Sequence, residues 1–289
     1  MGLDHDITTL GPDWDDQDNP ERAIETSARC LQAVETGARM PRLRELEQAA
    51  EPQFDGEGGE PVFVLRALRT AIPVLLREEA GVINTADRLG LRFRPQILLV
   101  RTHHVSRQPY EAVTLGYTLL HELLQIAGGQ QELSAALRRA EANPLAEQTV
   151  GVLGIFMATI RRSSLPEKTR DLLTESCRQL VSAYVLDAEM EEPVLYPRTA
   201  ALAAQGFYFF NELRLPGTEE LIEALYALDC RSRPQNARGQ ATCALRELEW
   251  ARYHYDADAM KRFRRQAIVD LGHYALRRHE LAVMLNGYV

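Results

Sequence analysis

Residues 150–160 read VGVLGIFMATI. Wound as a helix, this run is apolar nearly all round, so it has no face to give to water. It is far short of the roughly 20 residues that span a bilayer. Such a helix has to be central, enclosed by other elements of the same chain. With 289 residues, 45% of them hydrophobic, the chain is long enough to supply that enclosure without disulfides or metal staples.

The enclosing elements read as further helices. Asn19–Pro20 and Asn143–Pro144 each place a capping side chain before a proline suited to the first helical turn. Ile24, Ala28, Leu31 and Val34 then share one face. Pro41 is read as starting a second, shorter helix, and Pro73 as kinking or splitting the helix that holds it. Residues 51–61, EPQFDGEGGEP, read as a loop. Gly128–Gly129 stops the helix that begins at Pro109. Ser164 and Glu167 have capping-box spacing. Further helices are expected over 197–213, 218–229, 235–255 and 258–286. The fold class that follows is all-α: an irregular multi-helix bundle or α-solenoid of roughly ten antiparallel helices, with no βαβ alternation.

One stretch is ambiguous. ILLVRTHHVSR, residues 97–107, has the β-branched residues of a strand. No partner strand lies within a short connection, and a lone strand leaves its backbone groups unpaired. Residues 95–106 are therefore read as a helix beginning at Pro95, with NTADRLG a separate short helical turn before it. On such a helix His103 and His104 point about 100° apart, too far to share a metal easily.

Charge is uneven. Residues 1–60 carry 15 acids against 5 arginines, whereas residues 61–289 are nearly balanced, and the whole chain has net charge −8. Residues 1–18, with six Asp, predict a mobile acidic tail, followed by a helical bundle over 19–195 and a distinct segment over 196–289. Only Lys168 and Lys261 among the 33 cationic residues are lysines, a bias read as that of a GC-rich genome rather than as a need for guanidinium forks. The balance makes nucleic acid an unlikely partner, although residues 66–107 hold eight Arg and two His against three acids. Cys30, Cys177, Cys230 and Cys243 form no CxxC pair or zinc spacing. With no secretory signal pattern at the start, a cytoplasmic, soluble protein without membrane association is expected.

Residues 196–289 contain 12 of the 20 aromatics, set one turn from small residues in AALAAQGFYFFNEL. EWARYHYDADAMKRFRRQA follows as helix, Asp-containing turn, helix. Small positions admit close helix approach and aromatics fill the gaps between layers. On Ala259, Phe263 and Ala267 the segment 196–271 resembles tetratricopeptide (TPR) hairpins, without the full Trp, Leu, Gly and Tyr spacing or a clean 34-residue recurrence. The resemblance implies a protein or peptide bound on a concave face.

Catalytic patterns are weak. His121–Glu122 lacks the second zincin histidine, since position 125 is Gln. Asp270 and His273 have the i,i+3 spacing of a di-iron helix but no second pair. The acids of DWDDQDNPE precede the first helix rather than lining an apolar cavity. No phosphate loop, dinucleotide turn or nucleophile elbow occurs. The expectation is a helical scaffold binding a protein or peptide partner in a regulatory or adaptor role, with no cofactor. Its surface would draw on exposed members of Phe207, Tyr208, Phe210, Trp250, Tyr253 and Tyr255, with Arg262 and Arg265 at the rim. The acidic tail would lie across the basic cluster Lys261, Arg262, Arg264 and Arg265 and block or gate it. The alternative is an enzyme with a helical-bundle active site, metal-dependent in one version, built on His103, His104, His121, Asp270 and His273. A homodimer is compatible with this much apolar surface.

Overall fold

The computed structural model describes residues 20–54, 60–138 and 143–185. Between 202 and 262 it describes 202–203, 206–207, 209–211, 213, 217–231, 250, 254, 258, 261 and 262. The expected tail, 1–18, lies outside them. Every element among the described residues is helical, as the all-α reading expects. No described helix is long and apolar enough to cross a membrane. The chain divides into two compact units, Met1–Tyr184 and Val185–Val289.

The first unit contains α1 (Pro20–Ala33), α2 (Thr36–Ala50), α3 (Pro61–Glu78), α4 (Thr85–Val105), α5 (Pro109–Ala127), α6 (Gln130–Arg138), α7 (Pro144–Arg162) and α8 (Glu167–Val185). Short 3₁₀ turns, Glu51–Phe54 and Glu79–Gly81, follow α2 and α3. Helix α1 packs on α2 and α3, while α4 packs on α2, α3, α5 and α7. Helix α7 closes the far side against α4, α5 and α6. A core of Ile24, Leu31, Leu43, Leu46, Leu68 and Leu75 joins the first three helices, and Leu91 and Leu98 bring α4 into it.

Helix α7 is enclosed as its composition demands: no described side chain from Gln148 to Arg161 is exposed. Two glycines set how closely its neighbours approach. A Cβ on Gly116 of α5 would meet the Phe156 ring of α7 at 2.7 Å. On Gly151 of α7 it would meet Ile97 of α4 at 3.1 Å. Phe156 is fully buried, so its ring has little room to yield.

The ambiguous stretch is helical, but not as a separate element. Helix α4 is continuous from Thr85 and runs through Pro95. The proline removes one backbone donor. In the same turn Gln96 donates its side-chain amide to the Arg92 carbonyl at 2.7 Å. The helix is nucleated upstream, where Asn84 accepts from the amides of Ala86 and Asp87 at 2.8 and 3.4 Å. Pro41 and Pro73 also lie inside helices, so Pro41 does not begin α2 and Pro73 does not split α3. Packing against neighbours outweighs the local cost of proline at all three positions.

The other punctuation holds in part. Asn143 caps α7 by accepting from Leu145 N at 3.0 Å. Gly128 ends α5 in the left-handed region, φ 92°, and its amide and that of Gly129 return to the Leu124 carbonyl. Ser164 is not the cap of α8, which begins at Glu167; Leu165 is buried and holds the approach to the helix.

In the second unit, helix α9 (Glu219–Arg231) and the helical residues between 202 and 213 share a core of Leu202, Phe207, Phe209, Phe210, Leu221 and Leu225. Gly206 lies against Leu225, where an added Cβ would meet both methyl groups at 3.2 Å.

Gly116→Ala sets two terms against each other: about 1 kcal/mol of gained helix propensity and about 1–3 kcal/mol of overpacking. We expect net destabilisation in urea unfolding, and a reversal of sign when Phe156→Leu has already opened the space.

Candidate interaction surfaces

Four arginines of 66–107 pair with carboxylates on other elements. Arg92 of α4 donates to both Glu79 oxygens at 2.9 and 3.1 Å and also bonds Glu122 of α5. Arg94 pairs with Glu47 of α2. Arg101 forms a fork with Glu51 at 2.6 and 2.9 Å and lies 4.4 Å from the Phe54 ring centroid. Arg66 of α3 holds Glu21 and Glu25 of α1. Half of the eight arginines thus spend their charge between helices. Burial alone would lower the Arg92 pKa; hydrogen bonds to Glu79 and Glu122 hold it above its ordinary value.

Among the described residues the histidines proposed as enzyme candidates form no constellation. His103 and His104 are half-buried at the end of α4, and His103 Nδ1 lies 2.6 Å from Gln108 Oε1. His121 is exposed on α5. Its neighbour Glu122 faces Arg92, which stands three helical turns before His103, about 16 Å along α4. Among the described residues no group of three His, Cys, Asp or Glu side chains is placed to hold a metal. Asp270 and His273 lie outside the described residues. Cys30 and Cys177 are buried, and burial pushes the Cys177 thiol far up.

The aromatic candidates divide. Phe207 and Phe210 are fully buried, so they build the core of the second unit and are not exposed members of any surface. From Phe207 a ring stack leads outward. Tyr226 of α9 lies 5.6 Å from Phe207, and Trp250 stacks parallel on Tyr226 at 4.1 Å between centroids. Trp250 then meets His254 edge-on at 4.3 Å. Tyr226 and Trp250 are half-buried, while His254, in a turn, is exposed. Lys261 and Arg262 follow as exposed helical residues. Tyr208, Tyr253, Tyr255 and Arg265 lie outside the described residues.

Sequence reasoning missed Tyr226 and His254. A Tyr in an apolar α9 pattern gives no sign of its stacking partner 24 residues away. It also missed that several large exposed apolar side chains, Val62, Leu76 and Ile83, are carried on and just after α3.

Arg92→Lys should lower stability by about 1 kcal/mol, because one ammonium cannot serve two carboxylates on separate elements as a fork does; thermal unfolding reads this. Cys177 should resist iodoacetamide in the native protein at pH 8.5 and react on unfolding, as read by mass spectrometry. Compared with protein-family models, with curated proteins and with solved structures, the chain matches none.

Proposed function

We propose that this chain is a helical scaffold that binds a protein or peptide partner through its C-terminal unit, in a regulatory or adaptor role. One observation carries the reading: the stack Phe207–Tyr226–Trp250–His254, anchored in the core and ending at an exposed histidine. Rigid, half-buried aromatics of this kind supply hot spots, since their contact area costs little side-chain entropy. Lys261 and Arg262 give the rim positive charge, which suits a partner carrying carboxylates. The resemblance of 196–271 to TPR hairpins supports the same partner class.

The test uses the full chain. A partner retained by the immobilised wild type is identified, and its affinity is measured for wild type and for a His254→Ala, Arg262→Glu variant. The expected loss is roughly tenfold or more, with an unchanged thermal midpoint. Equal affinity in the two proteins would overturn the reading.

A further inference from the structure

Helix α3 shows two unlike faces. Val64, Leu68, Ala71 and Leu75 are buried. On the opposite face Val62, Arg66, Arg69, Pro73 and Leu76 are exposed, at intervals of 4, 3, 4 and 3 residues. This is the seam spacing of a helix that receives a second apolar segment. Val62 is 58% and Leu76 39% exposed, and Ile83, just past the helix, is 99% exposed. The face is also basic. The one acid of α3, Glu78, pairs with the buried Arg39. Among the described residues Arg69 and Arg77 have no carboxylate partner.

The chain itself contains a segment of complementary chemistry. Residues 1–18 carry Asp4, Asp6, Asp13, Asp15, Asp16 and Asp18. Their large aliphatic and aromatic residues Leu3, Ile7, Leu10 and Trp14 recur at intervals of 4, 3 and 4. The segment joins the fold beside the α3 face, because Arg66, a member of that face, holds Glu21 in the first turn of α1. Length is no obstacle: even coiled as a helix, 18 residues reach about 27 Å, the length of the 18-residue α3.

We propose that residues 1–18 dock intramolecularly on the exposed face of α3, with their apolar residues against Val62, Pro73 and Leu76 and their aspartates toward Arg69 and Arg77. The segment then acts as an internal ligand that covers this face. An outside partner of the same acidic, apolar chemistry has to displace it. The inference concerns the first unit and does not depend on the binding surface proposed for the second.

The near absence of lysine makes the test direct. In the full chain, Arg69→Lys and Arg77→Lys keep the charge and introduce a site for zero-length carbodiimide coupling to carboxylates. Arg66→Lys, coupling to Glu21, calibrates the yield. The expected result is intramolecular coupling of the lysine introduced at position 69 or 77 to aspartates within 4–18, mapped by mass spectrometry. Adding Leu76→Ser should lower it about fivefold, and 0.5 M salt should lower it further. Mixing isotope-labelled and unlabelled chains separates intramolecular from intermolecular links. Coupling of the tail to native Lys261 or Lys168 alone, links between chains alone, or no tail link while the Arg66→Lys control couples would each overturn the proposal.

Discussion

The close approach of α4, α5 and α7 is the contact on which the first unit depends. Gly116 lets the Phe156 ring lie against the α5 backbone, and Gly151 does the same for Ile97 of α4. With those distances set, α4 lies between two groups of helices. One side faces the leucine core of α1, α2 and α3, and the other faces α5 and α7. A helix in that position cannot expose a long face, and no described side chain from Leu89 to Val105 is exposed. Interiors this dense respond to a single added methyl group, so glycine here is a packing requirement.

The enclosure of α4 explains the charge layout. Three arginines on an enclosed helix would be costly unless each met a carboxylate. Glu47, Glu51, Glu79 and Glu122 supply them, from elements on either side. Much of the acidity of residues 21–60 is therefore structural, since Glu21 and Glu25 serve Arg66 in the same way. Six of the fifteen acids of residues 1–60 belong to the first 18 residues, which carry no arginine or lysine. Exposed pairs among these add little stability. The partly buried forks of Arg92 and Arg94 fix how the helices register against one another.

Legibility in the sequence differed by element. The enclosure of α7 was readable because its apolar run leaves one interpretation. That of α4 was not, because Arg92, Arg94 and Arg101 mimic a solvated face; their stems pack and their heads pair at distances the linear pattern does not encode. Prolines misled for a similar reason. Pro41 and Pro95 look like helix starts locally, yet neighbours hold both inside longer helices. The aromatics of the last third were half legible: Phe207 and Phe210 pack in the core, but that Tyr226 and Trp250 lead from them to the surface depends on α9 and the turn at His254.

By itself the sequence determined the helical class, the caps at Asn143 and Gly128, and the need to enclose 150–160. These follow from periodicity and backbone chemistry within one or two turns. Only the tertiary structure decided that α4 is enclosed, that Arg66, Arg92, Arg94 and Arg101 face carboxylates, and that α3 keeps one basic, apolar face outward. Each of those is set by which helices meet across 13 to 50 residues of chain, and such pairings are chosen by packing rather than by local pattern.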